Sequence, residues 1–544
     1  MPVVPSRWMP VTRLSGPIAR YGVIAAAAAS LLVLPSCARF TPPDRTSTEL
    51  PIPAAFSLYE TAGELPDAWW NSFDSGDLNA LVDAALSGNF TIAQAAARIR
   101  QAGAVARQAG APLRPTLSYG ADASLSRRRT ELGGGESGLD AATRRLNALN
   151  ALLDAASGGG GGTGPLGGAV RSAQQGRNAV ESLLQPSPPD SLTVNTDQYG
   201  LGLTAGYEVD VWGRLRADEA AALSALDATR EEAHAVVHTI AGQVALTWFN
   251  LLETAQVLGV VRGQLETNQT NLGLIELRYR NGLATTLDVY QQRQAVAETE
   301  SAIPLLEARY ELLKHTLNIL LGRAPRDDLD LTEAAFAAPG PLPPYGLPAD
   351  LLARRPDVRA AGLRLRAADW RVAAARADRL PRLQLSAGLS SDAAAIGSLF
   401  DSWIAQLAAS VTGPLFDGGR REAEIERARA EADERLAAYR QIVLEAVAEV
   451  EDALVLIDRQ QALIQALDRQ LEAARNSHRE ALGRYRKGLT DYLPVLTALR
   501  NLQSLERDVV EAAHDLLVYR VQLHLALGGG WMAGALDARE GKNE

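Results

Sequence analysis

Apolar residues recur at intervals of seven over two long stretches of the chain. The first series is Val237, Val244, Leu251, Leu258, Leu265, Leu272 and Tyr279, and the second is Leu436, Val443, Val450, Ile457, Ile464 and Leu471, ending near His478 and Tyr485. A sustained step of seven is typical of helices that pack in supercoiled pairs. The pattern predicts long helices over residues 215–279 and 421–485. At 1.5 Å per residue, each would be roughly 100 Å long.

Alternation of apolar and polar residues marks four shorter segments. It predicts strands over residues 116–126, 197–211, 383–390 and 403–415. Alternating segments of about ten residues are typical of outer-membrane barrel strands, which turn apolar side chains to lipid and polar ones to a lumen. A half-buried sheet of a soluble protein would alternate in the same way. The alternation alone leaves both interpretations open.

The chain contains two copies of one unit. The sequence RYRNGL begins at Arg278, and RYRKGL begins at Arg484, 206 residues later. Upstream, Pro115 and Pro381 lie in similar sequences at a spacing of 266 residues. The two spacings differ because the first copy carries an insert. We interpret the pattern as an internal duplication.

The duplication sets the predicted domain boundaries: repeat 1 over residues 78–322, a linker over 323–349, repeat 2 over 350–528 and a tail over 529–544. The insert of repeat 1 spans residues 127–196 and is rich in Gly and Pro. Such a composition predicts a flexible loop.

Each repeated turn carries residues that end one helix and begin the next. Gly282 and Gly488 suit the left-handed conformation that follows a helix C-terminus. The arginines just before them complement the negative end of the helix dipole. Thr285 and Thr490 are candidates to cap the returning helices. We therefore predict two helical hairpins.

The N-terminal segment is predicted to be a processing signal. Its arginines precede a short apolar run over residues 23–34, too short to span a bilayer. The run ends in Leu34-Pro35-Ser36-Cys37, which resembles the lipobox of bacterial lipoproteins. We expect residues 1–36 to be removed, whether translation starts at Met1 or Met9, and an extended segment over 37–77 to follow.

Cys37 is the only Cys in the protein, so no disulfide forms within the chain. We expect it to carry covalent lipid, including a palmitoyl-type acyl chain, because a lone Cys at this position otherwise has no role. Several acyl chains would give stable anchoring where one would not. The alternative is an incidental Cys beside a signal peptide that is cut elsewhere.

Composition disfavours a nucleic-acid-binding protein and an enzyme. The net charge is −10, so the chain has no basic field for nucleic acid, and aromatic residues are only 5% of it, which favours long helices. His234 and His238 have helical spacing, but Ala235 stands where a zinc protease needs Glu, so we expect solvated histidines. We predict no catalytic site and no cofactor other than lipid.

The four predicted strands cannot close a cylinder, and a membrane tolerates no open edge. A spanning chain must therefore oligomerise, with two, three or four chains giving eight, twelve or sixteen strands. The expected fold is mainly α, internally duplicated, with long coiled-coil helices and four strands per chain that contribute to a shared transmembrane β-barrel.

The sequence resembles the outer-membrane factors, which are TolC-like exit ducts, and among them the lipoprotein branch that serves resistance-nodulation-division (RND) drug pumps. The resemblance rests on the two RYRxGL turns and on four further stretches: WWNSFDSGDLNALVDAALSGN from Trp69, YEVDVWGR from Tyr207, DYL from Asp491 and LHLALGGGW from Leu523. It implies a homotrimer in the bacterial outer membrane, with twelve strands in one barrel and helices that form an α-barrel through the periplasm. The insert would then be an extracellular loop.

The resemblance also implies roles for the hairpin tips. They would dock a periplasmic adaptor (membrane fusion) protein, while an inner-membrane RND-type transporter selects and energises multidrug export. The residues that would carry this docking are Arg280, Gly282, Leu283, Arg486, Lys487, Gly488 and Leu489.

A carboxylate ring often lines the mouth in that family, and here the sequence departs from it. Thr497 and its first-copy counterpart Gln291 occupy the expected Asp position, so Asp288 and Asp491 are the remaining gate candidates. Solvated acids at helix ends are the alternative.

Two other functions remain open from the sequence. The duct could serve type I protein secretion, or the chain could be a coiled-coil scaffold of the periplasm that forms no pore and is held by lipid alone.

Overall fold

In a computed structural model, the described residues are 40–45, 52–56, 68–131, 145, 147, 151, 191–329, 331–332, 335–336, 340–343 and 346–529. Cys37, most of the predicted insert and nearly all of the tail lie outside them. The chain divides into two compact units. The helical unit consists of Met1–Leu113, Asp210–Arg382 and Thr412–Glu544, and the strand unit of Arg114–Val209 and Leu383–Val411.

The helical unit is built from two copies of the same set of helices. The first copy has α1 (Gly76–Gly88), α2 (Phe90–Gly110), α3 (Arg214–Arg280) and α4 (Thr286–Leu320), and the second has α5 (Leu351–Arg354), α6 (Pro356–Ala377), α7 (Arg420–Arg486) and α8 (Leu493–Ala526). Helices α3 and α7 have 67 residues each. They extend one residue beyond the predicted range at both ends. Each begins directly after a glycine in the left-handed conformation, Gly213 or Gly419.

The seven-residue seam forms the core between helices. Val237, Val244 and Leu251 are at most 2% exposed on α3, and Val443, Val450 and Ile457 are equally buried on α7. Burial weakens towards the C-terminus of α3, where Tyr279 is 46% exposed. An 18-residue stretch of α3 is apolar enough to cross a membrane, but 61% of it is buried inside the fold, as in a core helix.

The upstream and returning helices of each copy meet end to end. Asn89 lies between α1 and α2, and its side-chain Nδ2 donates to the carbonyl of Leu320 at 2.7 Å. Arg355 lies between α5 and α6, and its Nη1 donates to the carbonyl of Ala526 at 3.0 Å. The donors are 266 residues apart and the acceptors 206, so both spacings of the duplication reappear in one contact.

A buried aromatic turn precedes α1. Trp69 is fully buried in the turn Trp69–Phe73 and stacks on the ring of His524, with centroids 5.3 Å apart. The Nε2 of His524 lies 3.2 Å from the hydroxyl of Ser72. Because Trp69 lies in the segment before the first copy and His524 in the second copy, this contact joins that segment to the second copy.

The strand unit is one four-stranded sheet in the order β1-β2-β3-β4. Its strands are β1 (Thr116–Glu131), β2 (Ser191–Val209), β3 (Arg382–Ala393) and β4 (Ile404–Thr412). β1 and β2 pair antiparallel without a break from Thr116↔Gly206 to Glu131↔Ser191. β1 and β4 are the two edges of the described sheet.

The sheet corrects three predicted strand boundaries. The first two strands run five or six residues into the segment predicted as a flexible insert, to Glu131 and from Ser191. Pairing of backbone groups needs no apolar side chains, so the ladder continues after the alternation ends. Strand β4 ends at Thr412 instead of 415, and Gly413 follows it.

Candidate functional site

The two hairpin tips have the same backbone. Gly282 and Gly488 have φ of +71° and +73°. In the first tip the N–H of Leu283 donates to the carbonyl of Arg278 at 2.8 Å, and in the second Leu489 donates to Arg484 at 2.9 Å. This bond from the residue after the glycine is the Schellman closure of a helix. Both predicted left-handed stops are therefore present in the structure.

The tips expose leucines and cations side by side. Leu283 is 63% exposed and Leu489 is 71% exposed. Arg280, Arg486 and Lys487 are also exposed. The structure thus brings the predicted docking residues to the ends of two adjacent hairpins, where they combine apolar area with positive charge.

The returning helices of the two hairpins begin differently. Thr285 caps α4, since its hydroxyl accepts from the N–H of Asp288 and the Asp288 carboxylate accepts from the N–H of Thr285 at 2.8 Å. The prediction for Thr490 is wrong: α8 begins after Tyr492, and no side chain caps it. Pro494 stands in the first turn of α8, where a missing N–H costs nothing.

Tyr485 and Tyr492 join the two tips. The guanidinium of Arg278 lies over the Tyr485 ring, 4.5 Å from its centroid, and its Nη1 donates to the carbonyl of Arg486 at 3.4 Å. The rings of Tyr485 and Tyr492 are 5.3 Å apart and pack against Ile275 and Val495 of the two hairpins. A small core therefore sits directly behind the exposed tips.

A line of buried polar groups continues from this core between the hairpins. The hydroxyl of Tyr492 donates to Oε1 of Gln292, and Nε2 of Gln292 donates to the carbonyl of Asn268 at 2.8 Å. Nε2 of Gln503 donates to Oδ1 of Asn268 at 3.2 Å, and its own carbonyl accepts from Gln264 at 2.8 Å. We call these five residues the polar seam.

The polar seam is dry and uncharged at its tip end. Gln292 is fully buried and Asn268 is 1% exposed. Burial, with the neighbouring Tyr485 and Asp288, raises the pKa of Tyr492 far above its ordinary value. Burial likewise raises the pKa of Tyr485. Both hydroxyls are therefore neutral in any physiological medium.

The polar seam is not among the features predicted from the sequence. Asn268 lies between Val261 and Ile275 in a second series of step seven along α3, and all three side chains are buried. A polar residue at a seam position is the signal that could have revealed it.

Of the two gate candidates, Asp288 is half-buried and its carboxylate takes part in the N-terminal cap of α4, whereas Asp491 is exposed. Thr497 is exposed on α8. Capping of α4 therefore accounts for Asp288 without a role in a gate.

The histidine prediction needs correction. His238 is half-buried rather than solvated, its Nε2 lies 3.1 Å from the carbonyl of Leu525, and burial lowers its pKa. Within the described ranges, no group of three or more His, Cys, Asp or Glu side chains is arranged to hold a metal ion.

Comparison with known proteins decides the family. The sequence profile of the outer membrane efflux protein family matches residues 168–323 and 347–529. The chain belongs to this family. It is 34% identical over 477 residues to the pyoverdine export outer membrane protein OpmQ of Pseudomonas putida, which covers 87% of this chain and 90% of OpmQ.

Two further comparisons agree with this membership. The probable outer membrane lipoprotein SilC of Salmonella typhimurium is 28% identical over 343 residues, covering 62% of this chain and 74% of SilC. The solved structure of the outer-membrane channel OprN matches with a TM-score of 0.73 and 27% identity, covering 90% of this chain and 99% of OprN.

This outer membrane efflux protein is therefore the exit duct of an efflux system, and it lies in the outer membrane and extends into the periplasm. The resemblance to TolC-like ducts that the repeated turns indicated is confirmed, as is the fold class of long helices with a β part. Family members are channel proteins rather than enzymes.

Proposed function

We propose that three copies of this chain close one twelve-stranded barrel in the outer membrane and conduct small molecules passively from the periplasm to the exterior, without catalysis. The observation that carries the proposal is the sheet: β1 and β4 are edges, while Leu117, Tyr119 and Leu125 on one face are 76%, 83% and 75% exposed. Open edges and exposed apolar faces are both removed when neighbouring subunits complete a barrel within lipid.

Crosslinking of the protein in intact outer membranes tests the stoichiometry. We expect a ladder that stops at three subunits and a band that collapses to the monomer on boiling. A ladder that stops at two or four, or a monomer alone, contradicts the proposal.

We propose that the exposed tips dock a periplasmic adaptor that couples the duct to an inner-membrane pump of the RND type. Leu283, Leu489 and the cations Arg280, Arg486 and Lys487 form the surface that supports this. The double charge reversal R486E/K487E should abolish crosslinking to the adaptor and restore drug susceptibility, while trimers and conductance persist. Arg469→Glu, at an exposed position of α7 away from the tip, is the matched control and should change neither.

We propose that Cys37 carries the lipid anchor. The support comes from Phe40, which packs against Ala217 and Ala373 near the start of α3 and the end of α6. Phe40 follows Cys37 by three residues in the sequence, and Cys37 itself ends the stretch Leu34-Pro35-Ser36-Cys37 that resembles a lipobox.

We further propose that Asp491 supplies negative charge at the duct mouth, since it is exposed near the second tip. Asp491→Asn should then shift the reversal potential towards lower cation selectivity, and an unchanged reversal potential contradicts this role. Asp288→Asn is not a clean test, because Asp288 caps α4.

The relative OpmQ is named for pyoverdine export, which favours small-molecule cargo over secreted protein. Deletion of the gene should increase susceptibility to dyes and hydrophobic antibiotics. Unchanged susceptibility together with loss of a secreted protein would instead favour type I secretion.

A further inference from the structure

Three consecutive arginines lie near the end of strand β1. Arg127, Arg128 and Arg129 pair with Asn195, Val194 and Thr193 of β2, and all three are exposed. The register between the strands contains no bulge. Strict alternation therefore fixes the face on which each arginine lies.

Arg127 and Arg129 belong to the apolar face of the sheet. They follow Leu117, Tyr119 and Leu125 at intervals of two, and these three side chains are highly exposed. Arg128 belongs to the opposite face, which also carries the polar residues Ser118, Asp122 and Ser126. One strand thus offers two arginines on the lipid-facing side and one on the lumen side.

The arginines come just after the apolar band ends. On β2 the band runs from Val209 to Tyr199, eleven residues, and the ten steps between them span about 33 Å along the strand. At the usual strand tilt this corresponds to about 25 Å of membrane height, the thickness of a barrel's apolar band. Tyr199 pairs with Ala123, and Arg127 follows four residues later. Because β1 is joined to α2 at its Thr116 end, the arginines lie at the far, external end.

We propose that Arg127 and Arg129 bind the phosphate groups of anionic lipids in the outer leaflet of the outer membrane. Guanidinium groups bind phosphate oxygens in a bidentate manner, and long side chains reach from a barrel rim to the headgroups. The same face also carries two acidic residues, since Asp197 lies diagonally across from Arg127 and Glu131 follows Arg129 by two residues. The inference rests on the proposed membrane barrel.

The test measures the binding of diphosphoryl lipid A and of fully dephosphorylated lipid A to purified trimers by native mass spectrometry. The double variant R127Q/R129Q is compared with Arg128→Gln, which removes the same kind of charge from the lumen face of the same strand. Asp197→Asn is a third variant. Conductance in planar bilayers and trimers that dissociate only on heating show that each variant is folded and forms a channel.

Each basic residue at an anionic membrane surface contributes about fivefold to binding. R127Q/R129Q should therefore lose roughly 25-fold in affinity for diphosphoryl lipid A, with little change for the dephosphorylated lipid, whereas R128Q should bind like the wild type and D197N more tightly. Equal loss in R128Q, or no loss in the double variant, overturns the inference. Loss of conductance and of trimers in the wild type would instead refute the barrel itself.

Discussion

At the scale of single residues, the two hairpins are joined by polar contacts that water does not reach. Gln292 and Asn268 are almost wholly buried, and each has its partner on a neighbouring helix. A buried polar group that loses its partner costs about 1–3 kcal/mol, which is more than a neutral hydrogen bond contributes. The polar seam therefore fixes one alignment of the hairpins rather than merely adding stability.

Removal of the Tyr492 hydroxyl should loosen the tips. In Tyr492→Phe the Oε1 of Gln292 stays buried without its donor. We expect a loss of about 1–3 kcal/mol in local stability, seen as faster amide hydrogen exchange at the tip ends of α4 and α8.

The matched control for that variant is Tyr290→Phe, because Tyr290 is 62% exposed on α4. It should leave hydrogen exchange unchanged. Equal effects of the two variants, or none from Tyr492→Phe, would show that the seam does not hold the tips.

The buried His524 should make stability depend on pH. Burial, assisted by Arg520 and His238, lowers its pKa to about 3. The folded chain keeps His524 neutral, whereas the unfolded chain binds a proton below about pH 6.5, so stability falls as the pH drops through the range 6.5 to 3. From pH 6.5 to 5 the loss should be about 2 kcal/mol per chain for this residue.

The measurement is urea unfolding of trimers at pH 7 and pH 5. His524→Phe keeps a ring against Trp69 and should reduce the pH dependence by about 2 kcal/mol. A variant with the same pH dependence as the wild type would mean that His524 is protonated in the folded protein.

Much of the residue-level arrangement could be predicted. The seven-residue series located buried Val244 and Val450, and the glycine turns located the tips. The partners of Tyr492 and His524 could not be predicted, because each contact joins residues about 200 or more positions apart in sequence. No local pattern encodes such a pairing.

At the scale of elements, α4 carries an apolar stripe that its own chain does not cover. Leu305, Leu312 and Ile319 follow one another at intervals of seven and are 73%, 64% and 60% exposed. A stripe with this period is the seam of a helix that has another helix as its partner. In a homotrimer that partner belongs to the neighbouring subunit.

A charge within this stripe should prevent assembly. Leu312→Glu would place a carboxylate in a subunit interface, so we expect monomers in place of trimers on size-exclusion chromatography in detergent. Gln294→Glu adds the same charge at an exposed polar position of α4 and should remain trimeric. Stable Leu312→Glu trimers would show that the stripe faces something other than a subunit.

The ends of some helices and strands could not be predicted from the residue pattern. The alternation of β1 stops near Ser126, yet the strand continues to Glu131, because hydrogen bonds with β2 and not side-chain polarity define it. Similarly, the break between α1 and α2 lies at Asn89, whose side chain contacts Leu320 in another element. Long elements follow from periodicity, and their ends depend on tertiary contacts.

At the scale of the whole molecule, duplication explains why one chain supplies two similar hairpins and two pairs of strands. The repeated contact from Asn89 to Leu320 and from Arg355 to Ala526 shows that the copies share their joints as well as their helices. The strand pairs differ in length, with 16 and 19 residues in the first copy but 12 and 9 in the second. The longer pair extends into the insert of the first copy.

An exit duct through the outer membrane requires that several chains together form one conducting barrel. Conductance of the purified protein in planar lipid bilayers tests this requirement most directly. We predict discrete single-channel steps from the trimer fraction and none from the Leu312→Glu monomer. A trimer fraction that inserts without conductance, or a monomer that conducts equally well, would contradict it.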